Sequence, residues 1–187
     1  MIIGDNRIVI GRYQAICGEL LLGSYGDYLC LCDWKTGRQS DSIYSRLRHL
    51  LKAGLVEGES PVMDHARAQL DEYFAGRRQA FDVPLLFAGT EFQKRVWNAL
   101  LAIPYGETVS YAEMARRIGM PKAVRAVANA NGANAVSIFV PCHRVIGSDH
   151  TLTGYGGGLD AKAYLLRLEN AVGVKAGGVS EWPCLDI

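Results

Sequence analysis

The stretch "VPCHRVIG", Val140 to Gly147, sets a cysteine between a proline and a histidine at the end of an apolar run. Three uses compete for Cys142: nucleophile, metal ligand and buried core residue. A thiol near its ordinary pKa of about 8.5 is only a few per cent thiolate at neutral pH, so nucleophilic chemistry benefits from a nearby base. His143 is adjacent in sequence, but neighbouring side chains of an extended chain point to opposite sides. If the chain turns here, relay of the proton through one water fits better than a direct contact. The base in turn needs an acceptor to orient it, and Glu169 is the best-placed acid of the C-terminal half. Zinc is the competing use of Cys and His. "CH" lacks a tetrahedral ligand spacing, and Cys30 and Cys32, in "CLC", share one face of a strand without two further obvious ligands. No metal site and no cofactor is therefore expected at Cys142, while metal binding by Cys17, Cys30 or Cys32 stays open.

Elements must hold these residues in place. "VSIFV" reads as a buried strand, by its β-branched content and length, that delivers Pro141 and Cys142. The loop "GSDHTLTGYGGG" comes next, its Gly154, Gly156, Gly157 and Gly158 permitting backbone shapes or close approaches that side chains forbid. Asp160 is expected to cap a last helix with Ala161, Tyr164, Leu165 and Leu168 on its apolar face and Glu169 near its end. Upstream, Thr90 and Gln93 form a capping box that opens a helix with Phe92, Val96, Ala99 and Leu100 on one face, stopping before Pro104. Ser110 and Glu113 form a second box, ahead of Met114, Ala115 and Ile118 and a stop at Gly119. Pro121 can begin a third helix at its first position and carry it through "KAVRAVANAN". Residues 110–130 are thus a helix-turn-helix candidate. On its second helix Val124, Val127 and Ala128 point one way, and Lys122, Arg125, Ala126 and Asn129 line the other. A polar face with a small alanine at its centre can lie close against a nucleic-acid backbone, but helix pairs of this kind also occur in unrelated folds.

The N-terminal half has a different texture. "RIVIGRYQAI", "GELLLGS" and "YLCLCDW" suggest an antiparallel meander. Residues 42–53 place Ile43, Leu47, Leu50 and Leu51 at helical spacing, and a second helical pattern carries Met63, Ala66, Leu70 and Phe74. Residues 82–89 read as a connector. The chain of 187 residues suffices for one ordinary domain or two small ones. Five cysteines, an odd number, and no secretory signal point to reduced thiols in a cytoplasmic protein, and no apolar run approaches the roughly 18 residues of a membrane span. Net charge is +1, with a mild basic bias over 90–150 from Lys94, Arg95, Arg116, Arg117, Lys122, Arg125 and Arg144.

Taken together, "EFQKRVWNALLAIPYGETVSYAEMARRIG", "PKAVRAVANANGANAVSIF", "VPCHRVIG" and "TGYGGGLDAKAYLLRLE" resemble the O6-alkylguanine-DNA alkyltransferases, one-turnover repair proteins also called methylated-DNA-protein-cysteine methyltransferases. The resemblance covers about residues 90–170, and residues 1–85 match only in layout. It implies an α+β protein: an N-terminal ribonuclease H-like domain, 1–85, with a small antiparallel sheet and helices; a mainly helical DNA-binding and alkyltransferase domain, 86–170, with a helix-turn-helix; and a tail, 171–187. It implies irreversible transfer of the alkyl group from O6-alkylguanine in double-stranded DNA to Cys142, with O4-alkylthymine as a second candidate substrate, by a monomer needing no cofactor.

Residue by residue, the resemblance makes Cys142 the acceptor, His143 its base through water, and Glu169 the orienter of His143. Asn134 holds the active-site turn, Tyr111 hydrogen-bonds the guanine as its oxygen gains charge, and Lys162 supports the backbone. Tyr155 belongs to the substrate-binding set. The carbonyls of Cys142 and Val145 take the guanine amino group, and the backbone at Gly156 donates to O6. The second helix of the pair enters the minor groove, where Arg125 replaces the flipped base, Ala126 and Ala130 permit close approach, and Lys122 and Asn129 flank it. This sequence departs from some relatives in having no basic residue within 131–134, glycine rather than serine at 156, and no evident structural zinc ligands. A thiol hydrolase and a non-catalytic helix-turn-helix DNA-binding protein are the alternatives.

Overall fold

The structure, a computed structural model, describes residues 6–35 and 40–171. The meander forms as expected. Strands β1 (Arg7–Ala15), β2 (Gly18–Tyr25) and β3 (Tyr28–Trp34) pair antiparallel, with Val9 opposite Ser24 and Leu22 opposite Cys32. A fourth strand, β4 (Gly54–Glu57), adds parallel to β1, giving the order β3-β2-β1-β4. Four residues with no clear alternation carry too little pattern to announce a strand.

Two helices cover this sheet. Helix α1 (Ser40–Leu51) buries Ile43 and Leu47, whereas Leu50, expected on the same face, is exposed. Helix α2 (Pro61–Phe74) starts where Ser60 caps the Met63 amide and Pro61 takes the first turn, and it buries Met63, Ala66, Leu70 and Tyr73.

The second half is mainly helical: α3 (Glu91–Leu101), α4 (Tyr111–Arg117), α5 (Val124–Gly132) and α6 (Gly158–Leu168), with the two-residue strands β5 (Val109–Ser110) and β6 (Val145–Ile146) paired parallel. The Thr90 and Gln93 capping box is complete, with both reciprocal bonds made. At Ser110 one half is present, its hydroxyl accepting from the Glu113 amide. Helix α4 ends in a Schellman motif: Gly119 at φ 71° donates to the Arg116 carbonyl and Met120 to the Ala115 carbonyl, a left-handed position where glycine carries no Cβ penalty.

Three expectations are corrected. Helix α5 begins at Val124 without a side-chain cap, so Pro121 and Lys122 lie in the preceding turn and Lys122 is not on the helix. Asp160 does not cap α6; the helix starts two residues earlier at Gly158, behind Gly157, and Asp160 lies in its first turn. "VSIFV" is not a strand: Val136 and Ser137 make isolated bridges, to Cys32 and Val140, around a turn in which Ile138 has φ 73°.

One contiguous core runs from Ile8, Leu22 and Leu31 of the sheet, through Met63 and Tyr73 of α2, to Trp97, Val127, Val140 and Leu165. The seam between the halves is hydrogen-bonded along β3. Cys32 N–H donates to the Ala135 carbonyl at 2.8 Å, and Ser137 N–H donates to the Cys32 carbonyl at 2.7 Å. Residues 135–137 therefore extend the edge of the sheet, and this seam positions the turn that carries Cys142. Leu29 makes the same kind of contact with the connector, accepting from Leu86 and donating to Pro84. The protein is α+β, a small, largely antiparallel sheet with helices. Among the described residues no helix is long and apolar enough to cross a membrane. The 171–187 tail, Cys184 included, lies outside the described residues beyond Ala171.

Candidate active site

The site is built around a short loop closed by one asparagine. Helix α5 stops at Gly132, and Asn134 bridges the loop beyond it: its Nδ2 donates to the Val140 carbonyl at 3.0 Å and its Oδ1 accepts from the Val136 amide at 3.0 Å. The chain then enters a single 3-10 turn, Cys142–Arg144. Cys142 thus sits at the start of a turn and not at a strand end. With three residues per turn, consecutive side chains diverge by about 120°, so Cys142 and His143 still face different directions.

His143 is fully buried. Its Nε2 donates to Glu169 Oε1 at 2.8 Å, and its Nδ1 has no protein partner among the described residues. Burial pushes the imidazole below its ordinary pKa, and Glu169 only partly opposes this. The neutral ring therefore keeps its proton on the side facing Glu169 and leaves Nδ1 able to accept one.

Glu169 caps the C-terminus of α6 and is itself buried. Besides His143 it accepts from Arg144 Nε at 2.8 Å, Arg144 Nη2 at 3.0 Å, the Tyr73 hydroxyl at 2.6 Å and the Gly106 amide at 3.3 Å. Burial alone would push this carboxyl up, but His143 and Arg144 hold it well below the usual carboxylate range. Arg144 completes its own bonding at the Ile103 carbonyl, 2.6 Å away. Sequence reasoning misses Tyr73 and Arg144 as site residues. Arg144 stands inside "VPCHRVIG", where a basic residue next to a candidate base could prompt a search for its carboxylate. Tyr73, on α2 and ninety-six residues from Glu169, gives no signal.

Cys142 is 4% exposed. Burial pushes its thiol up, while the Asn134 side chain, the Lys162 ammonium and the Ser137 hydroxyl draw it back. It borders a void of about 10 Å³, the space of about one water, walled by Asp33, Asn131, Asn134, Ser137 and Gly156. The void adjoins a cleft of about 560 Å³ lined by Tyr111, Asn129, Thr153 and Tyr155, with Ser42 and Ile43 of α1 on its rim. Lys162 is fully buried and pinned, its Nζ donating to the Val145 carbonyl at 2.6 Å and the Thr153 carbonyl at 2.8 Å; burial pushes it down to about 8. The Val145 carbonyl is therefore engaged by Lys162, and the Cys142 carbonyl accepts from Asn131 Nδ2 at 3.4 Å and from the Val145 amide.

The glycine-rich loop is fixed from the sheet side. Trp34 Nε1 donates to the Tyr155 hydroxyl at 2.9 Å, and a Cβ at Gly157 would lie 2.7 Å from the indole. Gly157→Ala is expected to displace either Trp34 or the loop, lowering stability by about 1–3 kcal/mol in urea unfolding.

On α5, Arg125, Ala126 and Asn129 line one face, and Lys122 is exposed in the turn before it. Ala130 is not on that face. It is buried at 3%, and its carbonyl accepts from Trp97 Nε1 at 2.8 Å. Cys17, Cys30 and Cys32 are buried free thiols, and burial pushes Cys17 and Cys30 up to about 12. No cluster of three or more metal-ligating side chains exists among the described residues.

Residues 91–171 match the family model of the 6-O-methylguanine DNA methyltransferase DNA-binding domain. A methylated-DNA-protein-cysteine methyltransferase of Methanosarcina acetivorans is 57% identical over 116 residues, 62% of this chain and 74% of that protein. The chain belongs to the methylated-DNA-protein-cysteine methyltransferase family. Likeness to the family extends well beyond the matched domain: a Methanosarcina barkeri methyltransferase is 44% identical over 151 residues, 81% of this chain and 95% of that protein. Among solved structures of the family, Mycobacterium tuberculosis OGT in complex with DNA superposes with a TM-score of 0.73 at 42% identity, covering 88% of this chain and 92% of that one.

Proposed function

We propose that this protein reverses DNA damage directly, taking the alkyl group of O6-alkylguanine in duplex DNA onto Cys142 once and irreversibly. The observation that carries the reading is a buried thiol on a one-water void, next in sequence to a neutral histidine whose far nitrogen is held by Glu169. The Cys142 proton passes through a water to His143 Nδ1, and Glu169 stabilises the ring as it becomes charged. The thiolate then attacks the alkyl carbon in line. The S–C bond forms, the C–O6 bond breaks, and its electron pair goes to the guanine, which regains the proton that the thiol gave up. Tyr111 and the Gly156 backbone donate to O6 as it gains charge. Asn134 and Lys162 hold the backbone, and Tyr155 walls the guanine cleft. The carbonyls of Val145 and Cys142 are read as acceptors for the guanine amino group, the latter in exchange for its long bond from Asn131 Nδ2.

The lesion lies inside a base pair and must be flipped out. In this reading α4 and α5 act as a helix-turn-helix, with α5 in the minor groove, Ala126 against it and Arg125 in the vacated stack. Lys122, from the turn, and Asn129 contact the flanking backbone. The N-terminal half, 1–85, is read as the ribonuclease H-like domain and 86–170 as the transfer domain, acting as a cytoplasmic monomer; O4-alkylthymine is a second substrate.

The test is intact mass after incubation with O6-methylguanine DNA. One methyl per protein, on the Cys142 peptide, is expected; repeated turnover would indicate a thiol hydrolase, and no added mass a DNA-binding protein with an inert thiol. Arg125→Ala is expected to slow transfer from duplex DNA by about tenfold or more, because flipping costs a few kcal/mol, and to leave the rate on single-stranded lesion DNA within about twofold.

A further inference from the structure

The residues given roles in the transfer all lie in the second half of the chain, yet a hydroxyl from the first half reaches their centre. Tyr73, the next-to-last residue of α2, is fully buried. Its ring packs against those of Phe74, Phe81 and Tyr105, with centroids 5.4, 5.4 and 6.3 Å away. Phenylalanine would fill the same space. What the hydroxyl adds is one bond, 2.6 Å long, to Glu169 Oε1.

That oxygen is the one that receives His143. Oε1 accepts from His143 Nε2 at 2.8 Å, from the Tyr73 hydroxyl and from Arg144 Nη2 at 3.0 Å, whereas Oε2 accepts from Arg144 Nε and the Gly106 amide. An ionised carboxylate only accepts, so the phenol is the donor. Burial and the Glu169 charge keep that phenol protonated. Each donor on Oε1 takes up part of the negative charge that would otherwise stabilise a protonated His143. A base for Cys142 has to start neutral, and a histidine beside an unshared buried carboxylate would hold a proton of its own too tightly to serve.

Building on the transfer reading, we infer that Tyr73 is a positioning residue acting through Glu169: by sharing Oε1 with His143, its hydroxyl draws carboxylate charge away from the imidazole and keeps the base neutral until the Cys142 proton arrives. The charged groups around the imidazole divide by sign. Arg144, in the same 3-10 turn, and Lys162, on α6, oppose a charge on His143, and Glu169 favours it. Two further phenols are near. The Tyr155 ring lies 6.4 Å from that of His143, and Tyr105, which feels Glu169 and Arg144, donates its hydroxyl to the Leu168 carbonyl at 3.0 Å. Removing the Tyr73 hydroxyl changes the sharing of Oε1 and leaves every formal charge in place.

The test measures single-turnover methyl transfer against pH on the full chain, with O6-methylguanine duplex in saturating excess. Four proteins are compared: the wild type, Tyr73→Phe, Tyr73→3,5-difluorotyrosine and Tyr105→Phe. The rate falls on the acid side as His143 takes a proton from solvent before Cys142 can supply one. Tyr73→Phe should move this limb to higher pH by about half to one pH unit, a fraction of the worth of a hydrogen bond to a charged group. Difluorination makes the phenol a stronger donor in nearly the same shape and should move the limb to lower pH. Tyr105→Phe removes a neighbouring hydroxyl that is not bonded to Glu169 and should leave the limb in place. A limb that fails to rise in Tyr73→Phe or to fall in the fluorinated protein makes Tyr73 a brace alone and overturns the inference, whatever happens to the rate. An equal shift in Tyr105→Phe overturns it too. Should Tyr73→Phe not fold, the fluorinated protein decides: a lowered limb supports the inference, and an unmoved or raised one overturns it. Absence of methyl transfer by the wild type at every pH overturns the transfer reading and this inference with it, whereas transfer with unmoved limbs removes the inference alone.

Discussion

A Cys142→Ala protein is expected to take up no methyl group from O6-methylguanine DNA at any incubation time, while binding that DNA as well as the wild type. The loss is complete because no other thiol of the described core can substitute. Cys17 and Cys30 are buried and pushed up to about 12, and burial on β3 also raises Cys32 well above its ordinary value. Binding survives because the residues assigned to DNA, Lys122, Arg125, Ala126 and Asn129, are exposed on α5 or in the turn before it, whereas Cys142 is buried. Removing a sulfur that borders a void should cost about 1 kcal/mol of stability. Intact mass and a gel-shift titration on the same sample check both halves. Residual methylation, or lost binding with an unchanged melting curve, would contradict the assignment.

The second large effect belongs to Glu169→Ala. The carboxylate receives His143, Arg144, Tyr73 and the Gly106 amide, and its removal leaves Arg144 as a buried cation without its counter-charge and His143 without its orienter. Breaking a buried pair in this way costs about 3–5 kcal/mol, to be read from the urea midpoint. Transfer should slow by about a hundredfold or more, the usual worth of a positioned base. Acidity gives an independent check. The folded-state pKa of Glu169 is depressed, so its contribution to stability is fully present above its ordinary value near 4.5 and is lost as pH falls through the depressed one. The wild type should therefore lose stability steeply below about pH 4.5, and Glu169→Ala should show a shallower acid dependence.

How legible this is depends on whether the signal is local. Helix caps at Thr90 and Ser110 and the stop at Gly119 are written within four or five residues, and they read true. Cys142, His143 and Glu169 stand out because their types and order suggest a nucleophile, a base and an orienter, and the 2.8 Å bond from His143 to Glu169 joins two of them. "VSIFV" misleads for a physical reason. Its β-branched run satisfies strand propensity, but Asn134 takes the Val136 amide and the Val140 carbonyl and so bends the segment into a loop. Asp160 has cap chemistry too late in the chain, since Gly158 at φ 85° already begins the helix. Ala130 matches a small-residue pattern but is buried, and its carbonyl takes the Trp97 indole N–H. Tyr73, Trp34 and Asp33 reach the site only through the tertiary fold, and no spacing rule connects them to partners on the far half of the chain.

The carboxylate of Glu169 is also the last of the site's polar groups to leave the ribosome. Tyr73, Gly106, Cys142, His143 and Arg144 all precede it, and the bonds that the other four polar groups make to it wait until the end of α6 arrives. On the proposed mechanism, a nascent chain up to Lys162 holds the nucleophile but lacks the acceptor that fixes its base, and its Arg144 has no counter-ion. Since chains emerge N-terminus first, reactivity is acquired late in synthesis. On that proposal, a thiol spent only once stays unreactive until the protein around it is whole.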